Sequence, residues 1–206
     1  MSATAMDNVR SATPGQVRRS PSVPAHWPIR RHVAAAETTP AGPLHSVEVT
    51  VPAKTNLTLH VGPAHEEWGG RHALDTIYCA IGVNDVVTAT AKTPGSGFSL
   101  ELSGEHLGDL ASSGSDMRRN HAVLALFAIA RAAGREPDVA LHVDKHIPVG
   151  AGLGGGSADA AATLLAVNTL WGLHWPIERL RDIAATLGAD MPFCLEGGYA
   201  HGTGFG

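Results

Sequence analysis

The residues best suited to chemistry lie in one run, Lys145–Asn168 (KHIPVGAGLGGGSADAAATLLAVN), where glycines at 150, 152, 154, 155 and 156 lead directly into Ser157 and a series of alanines. Glycine lets a backbone turn through positive φ and approach a ligand closely. A helix opened by Ser157 would leave the N–H groups of its first turn unpaired, at the positive end of its dipole. A phosphate is the ligand that such a loop and helix start would hold.

Other glycine loops have different requirements. Gly150, Gly152 and Gly155 satisfy G-x-G-x-x-G. A dinucleotide site also needs a second parallel strand with an acidic end about 20 residues further on, whereas Leu170–Pro176 (LWGLHWP) precedes another helix. A P-loop needs Gly-Lys, and the chain has no such pair. A flexible linker would mix its glycines with Ser, Pro and charge rather than run them into a helix start.

Val139–Val143 (VALHV) reads as the strand that leads into the loop, and Ala158–Leu170 as the helix that leaves it. Upstream, Val47, Val49 and Val51 alternate with polar residues, and Leu57, Leu59 and Val61 repeat the pattern. Two strand segments are therefore expected around Pro52-Ala53-Lys54-Thr55-Asn56, followed by a polar loop. Val83–Ala91 and Phe98–Leu102 read as further strands. Asn120 is a good N-cap for a helix with Val123, Leu126, Phe127 and Ala130 on one face, ended by Gly134. Pro176 and Glu178 start the next helix and Gly188 ends it, which leaves Asp190 in a turn before an expected strand. Strands followed by helices in this order predict an α+β domain with helices on one side of a mixed sheet.

At 206 residues, 44 % hydrophobic and 17 % charged, the chain can bury one substantial core. A net charge of −4 gives no general reason to expect nucleic acid or an anionic membrane as partner. Cys79 and Cys194 have no metal-ligand spacing and are too few for a disulfide framework. With no bilayer-length apolar run and no apolar signal core at the start, a soluble, cytoplasmic protein is expected. Residues 1–45, with Pro14, Pro21, Pro24, Pro28, Pro40 and Pro43 and paired arginines, read as a disordered extension. Residues 46–206 read as the folded domain.

Pro148–Ala162 (PVGAGLGGGSADAAA) resembles the second motif of the GHMP kinases, small-molecule kinases that include homoserine, mevalonate and galactose kinases. Pro52–Leu59 resembles their first motif, PAK-x-N-L-x-L, with Lys54 and Asn56 at matching positions; Gly188–Phe193 resembles the segment that carries their catalytic aspartate, here Asp190. The string GAGLGGGSADAAATLL, with Asn168 and then Leu170-Trp171, is most similar to the branch whose acceptor is a cytidine-diphosphate-linked methylerythritol, phosphorylated on its 2-hydroxyl on the non-mevalonate route to isoprenoids. The similarity extends from about Val47 to Gly206 and implies a first domain like the second domain of ribosomal protein S5. It also implies a longer protein, with a C-terminal subdomain and a third glycine motif largely absent from this chain.

What the resemblance implies for the site is specific. ATP, with Mg²⁺, would be held by Pro148, Val149, Gly150, Ala151, Gly152, Leu153, Gly154, Gly155, Gly156, Ser157 and Ala158, with Asn120 nearby. Asp190 would take the proton of the attacking hydroxyl, paired with Lys54, while Asn56, His72, Thr76 and Asp190 would contact the acceptor. His72 and Thr76 match the family's D-G-Y-H-x-L-x-T; Arg71 stands where the family has an aromatic residue, and its planar guanidinium can also stack on a base. Read without the resemblance, Lys54 is a solvated surface lysine, His72 a loop histidine, Asn120 a helix cap and Asp190 a turn former. Another GHMP kinase of the homoserine or mevalonate type, or a nucleotide-binding fragment without activity, would share most of these features.

Overall fold

The computed structural model describes residues 16–19, 29–33, 44–105, 107 and 117–205. Two long strands organise it. The valine alternation places Val47, Val49 and Val51, all fully buried, on one face of β3 (Leu44–His65), which pairs antiparallel with β4 (Arg71–Ala91) from Ser46↔Thr90 to His65↔Arg71. In place of two segments and a loop, β3 runs continuously through Pro52–Asn56, with register shifts at Pro52/Ala53, Asn56/Thr58 and Val61/Ala64. Pro52 has no N–H to give the ladder, and a bulge beside it absorbs the loss. Arg71–Thr76, expected near a loop, likewise forms the first part of β4.

The first half of β4 also pairs with β7 (Tyr199–Phe205) and its second half with β6 (Val139–Lys145), which in turn pairs with the parallel strand β5 (Ser99–Gly104). Two pieces of the extension expected to be disordered are strands instead. β1 (Gln16–Arg19) lies along β7, and β2 (Ile29–Val33) along β3, where they supply partners to edge N–H and C=O groups. The other residues of 1–43 lie outside the described ones. Among the described residues seven strands form one mixed sheet.

Of the four α-helices among the described residues, two pack on the sheet and the other two pack on those. Helix α1 (His121–Ala133) is capped by Asn120, whose Oδ1 accepts from the Ala122 N–H at 2.9 Å, and it ends at left-handed Gly134. Helix α2 (Gly155–Leu170) lies between β3, β4, α1 and α4, with Ala158, Ala160, Ala161, Ala162 and Ala166 fully buried; small side chains allow that close approach on all sides. It starts two residues before Ser157, because Gly154 is already its cap and accepts the Ala158 N–H at 2.8 Å. Helix α3 (Ile177–Leu187) runs from Pro176 to Gly188 as expected. The strand expected straight after Asp190 comes later: α4 (Met191–Glu196) intervenes, with Pro192 in the first turn, where its missing N–H costs nothing. Among the described residues no helix is long and apolar enough to cross a membrane.

A buried ionic cluster joins the layers. Lys145, the last residue of β6 and 1 % exposed, donates to Asp85 of β4 at 2.5 Å and to Asp159 of α2 at 2.6 Å. The other Asp85 oxygen accepts the His146 and Ile147 N–H groups at 2.6 and 2.8 Å, which fixes the chain as it leaves the strand. Removing the lysine would leave two buried carboxylates facing each other. Lys145→Met is therefore expected to lower stability by about 3–5 kcal/mol, measured by urea unfolding against the wild type.

Candidate active site

The strand-to-helix connection at residues 146–154 wraps a cavity of about 280 Å³, walled by Pro148 to Gly156 and closed by Arg119, Asn120 and His121 at the start of α1 and by Lys145, Ile147 and Asp159. The glycines at the helix start are explained by what lies against them. Gly154 takes left-handed backbone (φ 70°), and a Cβ there would sit 2.8 Å from Lys54 Cγ. A Cβ on Gly156 would sit 2.5 Å from His121 Nδ1. The first turn of α2 thus keeps its N–H groups near the cavity, with no side chains of its own until Ser157.

On the far side of Gly154 lies the second part of the site. Lys54, only 7 % exposed, places Nζ 3.2 Å from Asp190 Oδ2 and donates to Asn56 Oδ1 at 2.9 Å. Asn56 Nδ2 donates to Thr76 Oγ1 at 2.6 Å, and that hydroxyl donates to the Thr58 carbonyl at 2.6 Å. Asp190 Oδ1 accepts from the Tyr78 hydroxyl at 2.7 Å. One backbone bond joins the two parts: Lys54 N–H donates to the Leu153 carbonyl at 2.9 Å. A lysine and a partly open carboxylate therefore face each other at the mouth of a glycine loop, an arrangement suited to moving a phosphoryl group onto a hydroxyl.

Known proteins resemble this chain in sequence and fold. Residues 120–198 match the model of the GHMP kinases N-terminal domain. A 4-diphosphocytidyl-2-C-methyl-D-erythritol kinase of Bifidobacterium adolescentis is 77 % identical over 163 residues, which cover 79 % of this chain and 53 % of that protein. The chain carries a GHMP kinase N-terminal domain. A protein of the same name from Bifidobacterium longum is 81 % identical over 78 % of this chain and 51 % of its own length. A crystal structure of 4-(cytidine 5'-diphospho)-2C-methyl-D-erythritol kinase superposes with a TM-score of 0.55 at 36 % identity, covering 72 % of this chain and 48 % of that one. Homoserine kinase from Cytophaga hutchinsonii, at 19 % identity and a TM-score of 0.60, shares the fold over 80 % of this chain and 50 % of its own. The chain spans about half the length of the curated relatives it matches.

Lys54, Asn56, Thr76 and Asp190 form one hydrogen-bonded group, and Pro148 to Gly156 with Asn120 line the cavity. Ser157 and Ala158 are not in the lining; Ala158 is fully buried in the core. His72 stands apart. It is exposed, its Nδ1 meets the Gly62 carbonyl at 2.9 Å, and it lies four positions along β4 from Thr76, about 13 Å at strand rise. Sequence reading passed over Tyr78, Lys145, Asp85, Asp159 and His121. Tyr78 follows Thr76 by two positions on one strand, so it shares that face, and that period was a usable signal. Nothing in the sequence alone brings Asp85 to Lys145.

Cys194 and Asp159 are among the groups near the site that their surroundings shift. Burial pushes the Cys194 thiol up, with the Asp190 charge adding to it, so it is no nucleophile at neutral pH. Burial raises Asp159 to about 7, outweighing the attraction of Lys145, and the Asp85 charge raises it further. Its Oδ1 is buried with no hydrogen-bond partner. In the unfolded chain that carboxyl ionises near 3.8, so between about pH 4 and pH 7 the folded state holds a proton that the unfolded state has released. Its contribution to stability is full below that window and lost as pH rises through 7. Melting temperature measured from pH 5 to pH 8 is expected to fall less in Asp159→Asn than in the wild type.

Proposed function

We propose that this chain carries the nucleotide-binding loop and both reacting side chains of an ATP-dependent kinase that phosphorylates the 2-hydroxyl of 4-diphosphocytidyl-2-C-methyl-D-erythritol. The observation that carries the reading is the Lys54–Asp190 pair, 3.2 Å apart and set against Gly154 at the start of the loop helix. The high identity to relatives bearing that enzyme's name supports the choice of acceptor. Arg71, over the Phe205 ring at 5.1 Å, stands beside His72 where the acceptor's base would lie.

In this reading the β- and γ-phosphates rest on the N–H groups at the start of α2, and Asn120 and His121 border the rest of the nucleotide. Asp190 takes the proton of the acceptor hydroxyl as its oxygen forms a bond to the γ-phosphorus, and the bond from that phosphorus to the β-phosphate oxygen breaks to leave ADP. Lys54 orients Asp190 and offers positive charge to the moving phosphoryl group. Among the described residues no cluster of three or more His, Cys, Asp or Glu side chains could hold a metal. Mg²⁺ would be carried on the triphosphate, with the Ser157 hydroxyl, next in sequence to the cavity-lining Gly156, as a neutral protein ligand. When bound, the ion neutralises phosphate charge.

ADP release with MgATP is the direct assay. Release is expected on adding 4-diphosphocytidyl-2-C-methyl-D-erythritol and not on adding mevalonate or homoserine. A folded chain that binds ATP and releases no ADP with any of the three would be a nucleotide-binding fragment. Asp190→Asn is expected to abolish turnover while ATP affinity, by calorimetry, stays within about threefold, a change below the 1.4 kcal/mol that a tenfold loss represents.

A further inference from the structure

Asp190 sits at the cap position of α4, yet its carboxylate makes no cap hydrogen bond to that helix. Its orientation is set from other elements. Lys54 of β3 reaches Oδ2, and Tyr78 of β4, 112 positions away in sequence, donates its hydroxyl to Oδ1 at 2.7 Å. Tyr78 is 4 % exposed, and its ring stacks on Phe193 of α4 with centroids 4.9 Å apart and planes 20° from parallel. The ring is thereby docked on the same short helix that Asp190 begins.

The opposing strand leaves space for this ring. Gly202 of β7 pairs with Thr76, and a Cβ on it would lie 2.5 Å from Tyr78 Cε2, 3.0 Å from Cδ2 and 3.2 Å from Thr76 Cγ2. Any other residue at 202 would move the tyrosine. Burial, and then the charge of Asp190, raise the Tyr78 hydroxyl above its ordinary range. The group is therefore a hydrogen-bond donor at every pH where a kinase works.

We propose that Tyr78 is a positioning residue for phosphoryl transfer: its hydroxyl, with Lys54, fixes the plane of the Asp190 carboxylate so that an open lone pair faces the acceptor hydroxyl. The inference rests on the kinase reading above. Each carboxylate oxygen has one donor from the sheet, and the side chain remains 31 % exposed, which leaves acceptor capacity toward the site. A phenylalanine at 78 would keep the stacking on Phe193 and lose only the bond that stops the carboxylate rotating.

Steady-state kinetics of the wild type, Tyr78→Phe and Gly202→Ala across pH test this. Loss of one hydrogen bond to an ionised group is expected to lower kcat of Tyr78→Phe by roughly 10- to 100-fold, with KM for ATP within about twofold. The acid limb of its kcat–pH profile moves to higher pH, since a bond donated to the ionised form favours that form. Gly202→Ala, which keeps the hydroxyl but displaces the ring, lowers kcat in the same sense and carries the test should Tyr78→Phe fail to fold. A folded Tyr78→Phe with unchanged kcat and pH profile, or one that loses only ATP affinity, overturns the proposal while leaving the kinase reading intact. A wild type that turns over nothing overturns that reading and this inference with it.

Discussion

The bond from the Lys54 N–H to the Leu153 carbonyl, 2.9 Å long, is the constraint on which the site depends. It fastens the glycine loop to the strand that carries the lysine, and the lysine stem then lies against Gly154 at a distance that admits no side chain there. Loop position and lysine position are thus one variable. A phosphate held by the first turn of α2 and a hydroxyl held beside Asp190 would be presented to each other without further movement of the backbone, the form of preorganisation from which positioning catalysis draws its advantage.

The loop is anchored at its other end by charge. Lys145, between Asp85 and Asp159, ends β6 beneath the cavity, and Asp85 also takes the two N–H groups that follow. Two carboxylates around one buried ammonium make a costly arrangement, and Asp159 bears the strain as a carboxyl displaced upward by burial. What this secures is geometry: sheet, loop and helix are fixed to one another at the point where the backbone must change direction.

Much of this was legible in the sequence. The glycine run, the Asn120 cap, the Gly134 and Gly188 stops and the valine alternation of β3 are local signals, each with its own physical reason, and each appears where expected. Other features were not local. The short helix α4 stands where a strand was expected because Asp190-Met191-Pro192 permits either a turn or a helix start, and packing of Phe193 on Tyr78 favours the helix. Of the two strands in the Pro-rich extension, β1 owes its form to an edge contributed by residues at the other end of the chain, and β2 to the start of β3, which follows it in sequence. Lys54 reads as a surface lysine until the fold buries it beside Asp190. Tyr78 has a role only once β4 and α4 are brought together.

The mechanism turns on where the triphosphate lies, and a crystal structure of this chain with a non-hydrolysable ATP analogue would measure that directly. The β- and γ-phosphates are expected on the amides of Gly154 to Ser157, with the γ-phosphate turned toward the Lys54–Asp190 pair. A triphosphate bound elsewhere, or one on the loop but directed away from Asp190, would contradict it.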